Sequence, residues 1–113
     1  MPVICEPEEK VDVLDVKGNV NAFDMIGINN QLDKLVEKDH KKIILYFRGT
    51  KHIDFIGLGM LVERLRRMRA LNGDLKLVGL NPYVLRLLKM TGVSKLVQTY
   101  SNTNDAIRSF KCA

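Results

Sequence analysis

The feature that most constrains the fold of this chain is a run of apolar residues, IILYF, at positions 43–47. Successive side chains of a strand point to opposite faces, so a strand that is apolar throughout needs cover on both faces. The β-branched residues at its start favour a strand over a helix. Helices packed on both faces of a largely parallel sheet are the usual cover for such a strand.

Segments with a helical period alternate with strand-like segments along the rest of the chain. Asn21 has the character of an N-cap, Asp24 stands at the acidic position of a capping box, and apolar residues then recur at helical spacing from Met25. Asn81-Pro82 and Gly92 mark the start and the stop of another helix. The predicted helices span residues 22–38, 57–72, 82–91 and 101–111, and the predicted strands span residues 3–5, 11–17, 43–47, 75–79 and 96–97.

This order predicts an α/β fold with a mixed sheet and about four helices. The first two strands are joined by a short polar turn and are expected to form an N-terminal antiparallel hairpin, after which the strands run parallel. The sequence shows no repeat, linker or low-complexity tract, so residues 1–113 are expected to form a single domain.

Composition narrows the classes of function. The chain carries 18 Lys and Arg against 13 Asp and Glu, a net charge of +5, which favours acidic partners only weakly. Aromatic residues make up 6% and do not alternate with basic ones, which argues against a nucleic-acid partner. No apolar run reaches the roughly 18–20 residues that span a bilayer, so membrane insertion is not expected. The start of the chain lacks the pattern of a secretory leader, and a cytoplasmic protein is expected.

Neither a metal site nor a catalytic centre is predicted. Cys5 and Cys112 lie near opposite ends of the chain, without metal-ligand spacing. His52 and Asp54 are two residues apart and could in principle exchange a proton, but no nucleophile or second carboxylate stands near them. Asp54 is therefore interpreted as favouring a helix N-terminus, and no cofactor is expected.

A glycine-bearing segment, IDFIGLG at positions 53–59, opens the second helix. The lysine and hydroxyl residue of a phosphate-binding loop do not follow its glycines, and the third glycine of a dinucleotide fingerprint is missing. Gly57 and Gly59 are therefore interpreted as packing and turn residues.

The second helix carries a mixed stripe formed by Met60, Arg64, Arg67 and Leu71, away from most of its core positions. A solvated basic face and a face that docks on a partner both fit this stripe. Solvated basic faces are common, and methionine and arginine are enriched at the centres of protein interfaces, so both interpretations stay open.

The order of elements and several segments resemble the STAS domain, over residues 3–110. These segments are GNVN at positions 18–21, IILYF at 43–47, IDFIGLG at 53–59, LVGLNP at 77–82 and LKMTGV at 88–93. More narrowly, the chain resembles the bacterial anti-sigma factor antagonists. That resemblance implies a protein that docks on an anti-sigma factor, often a serine kinase, and that is phosphorylated on a Ser or Thr at the start of the second helix.

The chain departs from this family at the phosphorylation motif, which runs Asp, Ser, Ser or Thr, Gly. Asp54 and Gly57 are kept, but Phe55 and Ile56 stand at the two hydroxyl positions. The acceptor position is Ile56, so no phosphorylation is expected there. The acidic residue usual in the first loop is replaced by Asn21. Large apolar side chains at such a rim suit a constitutive contact with a protein.

The resemblance thus implies a non-catalytic regulatory module that binds an anti-sigma factor or a related kinase-fold protein. An accessory subunit of a lipid-trafficking ABC transporter, a part of a signalling scaffold, and a STAS domain that binds an anion or nucleotide are the alternatives. The sequence leaves the oligomeric state open. The expected partner-binding residues are Asn21, Asp54, Phe55, Ile56, Gly57, Met60, Arg64 and Arg67.

Overall fold

Strands and helices alternate throughout residues 10–111, the part of the chain that the computed structural model describes. In chain order the elements are β1 (Asp12–Asp15), α1 (Ala22–Glu37), β2 (Lys42–Tyr46), α2 (Phe55–Ala70), β3 (Asp74–Val78), α3 (Pro82–Thr91), a turn of 3-10 helix (Val93–Lys95), β4 (Thr99–Tyr100) and α4 (Thr103–Lys111). The predicted α/β class and the four predicted helices are confirmed.

The strands of this part of the chain form one parallel sheet in the order β1-β2-β3-β4. In its register, Ile44 of β2 stands between Val13 of β1 and Lys76 of β3. Each crossover steps one strand further in the same direction. Because such crossovers are right-handed, they place α1, α2 and α3 on the same face of the sheet.

The antiparallel hairpin predicted for the start of the chain is not confirmed. Its first strand, residues 3–5, lies outside the described residues. Its second strand is β1, which pairs in parallel with β2. The pairing continues just beyond β1, where the N–H of Val16 donates to the Tyr46 carbonyl at 2.8 Å.

The central strand β2 is covered on both faces, as its apolar run predicts. Ile43 and Leu45 pack into the larger core beneath α1, α2 and α3. Ile44 points to the opposite face and packs with Ala106 and Phe110 of α4. All three β2 side chains are completely buried.

The last strand was expected at residues 96–97 but lies at Thr99–Tyr100. Val97 is buried beneath the 3-10 turn, and its N–H donates to the Val93 carbonyl at 3.2 Å. That N–H is therefore not free to join the sheet. Bonding to β3 begins one residue later, where the N–H of Leu77 donates to the Gln98 carbonyl at 3.0 Å.

A buried lysine fixes α4 against the sheet. Lys76 projects from β3 toward α4, where its Nζ donates to the Ser109 Oγ at 2.5 Å and lies 4.1 Å from the centre of the Phe110 ring. The hydroxyl and the π-face satisfy an ammonium group that would otherwise be costly to bury.

The start of α4 carries a charge pair at the surface. The Arg108 guanidinium, followed by the Asn102 amide, holds the pKa of the Asp105 carboxyl below its usual value. Because the folded-state pKa is lowered, this stabilisation is present at neutral pH and is lost as the pH falls through the lowered value.

Gly73 lies where α2 turns into β3, against the loop before β2, and provides a test of the fold. A Cβ at this position would lie 2.4 Å from the carbonyl oxygen of Lys41, which accepts the N–H of Asp74 at 2.9 Å. We expect Gly73→Ala to lower the free energy of unfolding by about 1–3 kcal/mol, the usual cost of overpacking.

The matched control is Gly27→Ala in α1, where a Cβ meets open space. It should raise the free energy of unfolding by about 0.4–1 kcal/mol. Urea titration of both variants checks the pair, and an unchanged midpoint for Gly73→Ala would contradict the close approach.

Candidate functional site

Three helices begin side by side at the edge of the sheet where its parallel strands end. Asn21, Asp54 and Asn81 are their N-caps, each with extended backbone. Each side chain accepts the N–H three residues further on, at distances of 2.9, 2.6 and 2.8 Å respectively. At Asn21, the carboxylate of Asp24 completes the predicted capping box. These caps fix the positions at which α1, α2 and α3 present their first turns.

The first turns of α1 and α2 are held together through the loops that precede them. Val20 and Ile53 form a parallel β-bridge, and the N–H of Asp54 donates to the Val20 carbonyl at 3.1 Å. Gly57 is buried against this bridge. A Cβ on Gly57 would lie 3.1 Å from the Val20 carbonyl oxygen and 3.2 Å from the Asn21 carbonyl carbon, so the absence of a side chain permits the approach.

Large apolar side chains extend into solvent around this junction. Phe55 is 73% exposed, Ile56 is 67% exposed, and Phe23 in the first turn of α1 is 81% exposed. We call these three residues the first-turn patch. Isolated exposed apolar residues are ordinary, but three large ones on neighbouring first turns are typical of an interaction surface.

An open groove separates the first turn of α2 from α3. His52, Phe55, Tyr83 and Leu87 are among the residues that line it. The His52 ring stands edge-on to the Tyr83 ring, with 5.3 Å between the ring centres. Within residues 10–111, no hydrogen bond joins His52 to Asp54, and this geometry gives no support to acid–base chemistry.

The N-terminus of α2 is already occupied by a carboxylate of the protein itself. The Asp54 Oδ1 accepts the Gly57 N–H at 2.6 Å, and its negative charge stands where the helix dipole would attract an anion. This arrangement disfavours a bound phosphate or nucleotide at the same place. Thr50, a hydroxyl residue in the preceding loop, is only 3% exposed.

Arg64 turns inward and joins α2 to α1. Its Nη1 donates to the Asp33 Oδ1 at 2.5 Å, its Nε donates to the Asn29 Oδ1 at 3.2 Å, and its side chain is only 12% exposed. Met60 is half-buried and packs against the main core. Of these two members of the predicted stripe, Arg64 bonds α2 to α1 and Met60 contributes to the core.

Arg67 and Leu71 have a different environment from Met60 and Arg64, since both are exposed. The Arg67 Nε lies 4.0 Å from the Glu63 Oε1, the limit of an ion pair, and its side chain remains 65% exposed. Arg67 therefore keeps a guanidinium that a partner can reach. The sequence predicts one uniform stripe, but Met60 and Arg64 pack against other parts of the protein, whereas Arg67 and Leu71 are exposed.

Sequence reasoning missed Phe23 and Ile26 of α1 and Tyr83 of α3, all of which are exposed. A signal for the first two is present in the sequence. At 100° per residue they lie off the stripe that starts at Met25 and runs through Leu32 into the core. Apolar residues outside the buried stripe of a helix are candidates for contact with a partner.

Comparisons with known proteins agree with the architecture. The sequence pattern of the STAS domain matches residues 6–106. The "Anti-sigma F factor antagonist" of Paenibacillus polymyxa is 24% identical over 108 residues, which covers 95% of this chain and 92% of the relative.

Two solved structures share the fold at low sequence identity. A candidate anti-sigma factor antagonist of Thermotoga maritima superposes with a TM-score of 0.77 at 24% identity, covering 87% of this chain and 86% of that one. A sulfate transporter family protein of Wolinella succinogenes gives a TM-score of 0.72 at 17% identity, covering 96% of this chain and 88% of that one. In the described part of this chain, no helix is long and apolar enough to cross a membrane, and no group of three acidic, His or Cys residues could hold a metal ion.

The division of the stripe predicts different effects for its two arginines. Arg64→Ala should lower the free energy of unfolding by about 1–2 kcal/mol, because it removes two hydrogen bonds between α1 and α2 and packed side-chain carbons. Arg67→Ala, the control, should change it by less than about 0.5 kcal/mol, since the side chain is exposed. Chemical denaturation measures both effects, and equal effects would contradict the division.

Proposed function

The chain belongs to the STAS domain family, and on that basis we propose that it is a non-catalytic antagonist that docks on an anti-sigma factor through the first-turn patch. The observation that carries this proposal is the exposure of Phe55 and Ile56 at the start of α2. The antagonist name borne by the Paenibacillus polymyxa relative, 92% of which is covered by the match, supports it. We include a cytoplasmic location in this proposal.

Docking would bury apolar surface that is now in contact with water. Full burial of a side chain the size of Phe or Ile contributes about 1.5–3 kcal/mol. Phe23, Phe55 and Ile56 together therefore offer a contribution that can offset a substantial part of the cost of association. The caps and the Val20–Ile53 bridge hold the two first turns in place before binding, which reduces the entropy lost on docking.

The remaining predicted site residues divide by role. Asn21, Asp54 and Gly57 set the position of the first turns, and Arg64 ties α2 to α1, while Met60 packs against the core. Arg67 extends the docking surface along α2 as a charged contact. Arginine is among the residues most often found to dominate the energy of an interface.

Docking by this chain is not switched by a phosphoryl group at the family position. Ile56 offers no oxygen, and neither does Phe55. Burial of Thr50 keeps the nearest preceding hydroxyl away from a kinase. The negative charge that phosphorylation adds, roughly −1.5 to −2, is therefore absent from this surface, and binding at this position is constitutive.

A transporter subunit or a signalling scaffold is the rival partner for the same surface. The observation that favours this rival is the similarity in fold to a sulfate transporter family protein. An apolar first-turn patch serves either partner. Titration with an anti-sigma factor and with a transporter subunit from the source organism separates the two proposals.

The sharpest test introduces a carboxylate at Ile56. Because this side chain is 67% exposed, Ile56→Asp should keep the melting temperature. An acid in the first turn of a helix is even favoured, by about 0.3–1 kcal/mol. Affinity for the anti-sigma factor should fall by on the order of tenfold or more, since the charge becomes desolvated in an apolar contact. Calorimetric titration measures the affinity.

Two controls accompany this variant. Ile56→Ser introduces a polar group without charge and should bind more tightly than Ile56→Asp. Asn104→Asp adds a carboxylate to an exposed residue in the first turn of α4, on the other face of the sheet, and should leave affinity unchanged. A large drop in the melting temperature of Ile56→Asp, or unchanged affinity, would remove Ile56 from the docking surface.

A further inference from the structure

The outer face of α3 carries three apolar side chains in a stripe, of which Tyr83 and Met90 are exposed and Leu87 is half-buried against the main core. At 100° per residue, Tyr83, Leu87 and Met90 fall within an arc of about 60°. Tyr83 is 58% exposed and Met90 is 77% exposed, whereas Val84 and Leu88 on the inner face are fully buried. The stripe runs from Tyr83 to Met90, about 10 Å along the helix.

A row of positive charge lies beside this stripe. Arg86 and Lys89 occupy the neighbouring sector of α3, and both are exposed. Their charged groups make no ion pair within residues 10–111. No Asp or Glu occurs between Asp74 and Asp105 in the sequence, so this part of the chain supplies no local carboxylate to neutralise them.

The apolar stripe lies beside a row of cations, and this arrangement limits the kinds of molecule that can bind the outer face of α3. A second copy docked with its α3 antiparallel would bring the same cations together, and that contact is repulsive. With its α3 parallel, the second copy would offer those cations no carboxylate from residues 75–104. A bilayer is met by a broad apolar face with cations around it. Here the apolar residues form a narrow stripe with the cations along one flank, which matches the ridge of another helix.

We propose that this face of α3 binds an acidic amphipathic helix of a protein partner. The apolar side chains of that helix would pack along Tyr83, Leu87 and Met90, and its carboxylates would pair with Arg86 and Lys89. Methionine suits such a surface because its flexible thioether adapts to the shape of its partner. This proposal stands on α3 alone and does not depend on the identity of the protein that docks at the first-turn patch.

A designed peptide tests the charge and the shape together. The probe is a capped helical peptide of 18 residues, with Leu at positions i, i+4 and i+7, Glu along one flank, and Ala and Gln elsewhere. Titrated into the isotopically labelled protein, it should shift the backbone amide resonances of α3 in a saturable way. The double variant Arg86→Glu/Lys89→Glu should weaken this binding by on the order of tenfold.

The controls separate the alternatives. The same peptide with Gln in place of Glu should bind clearly more weakly. The variant Lys34→Glu/Lys38→Glu, a double charge reversal in the last turn and at the C-cap of α1, should leave the affinity unchanged. Absence of saturable shifts on α3, or equal affinity for the Glu and Gln peptides, overturns the proposal. So does binding to phosphatidylglycerol vesicles without binding to the peptide, or a dimer that is lost in Met90→Ser.

The two docking proposals can fail separately. Ile56→Asp leaves α3 unaltered, so it should bind the acidic peptide with unchanged affinity. If Ile56→Asp weakens peptide binding as strongly as the double reversal on α3, the peptide lies on the first-turn patch and the assignment to α3 is wrong.

Discussion

The close approach of the first turn of α2 to the loop before α1 is the contact on which this end of the molecule depends. Gly57 and Leu58 are buried, so the buried arc of α2 is set by these positions. At 100° per residue, position 56 then lies about 100° outside that arc and position 55 about 60° outside its opposite border, and both side chains are exposed. The exposure of Phe55 and Ile56 is thus a consequence of the packing at Gly57, and a side chain at position 57 would alter both.

The residue types at positions 55 and 56 determine whether phosphorylation can modify this surface. A serine or threonine at position 56 would be polar, and a kinase could convert it into a charged group. Isoleucine offers only apolar surface, and it has no oxygen that a kinase could phosphorylate. Occupancy at such a site follows from the concentrations of the two proteins and their dissociation constant. Under the proposed function, control then depends on how much of this protein is present rather than on its covalent state.

The sequence alone was sufficient to predict local structure wherever a residue type has one dominant structural role. Asn21 could be predicted as a cap and Asp54 as a residue that favours a helix N-terminus, and the apolar run of β2 predicted cover on both faces. The sequence alone was insufficient to predict contacts between residues that are far apart along the chain. Arg64 has the pattern of an exposed residue on its own helix, and only the packing of α1 reveals its ties to Asn29 and Asp33. Val97 was misassigned because burial under a 3-10 turn and burial in a strand select the same apolar residue.

Tyr83 links the two proposed surfaces and decides how they influence each other. It lines the groove beside Phe55 and also begins the apolar stripe on α3. One partner that carries both a docking face and an acidic helix can cover Tyr83 once and gain from both contacts, because the second contact is then intramolecular. Two separate partners would compete for the same ring. Positive coupling between the two surfaces therefore indicates one partner that covers both, and negative coupling indicates two partners that compete for Tyr83.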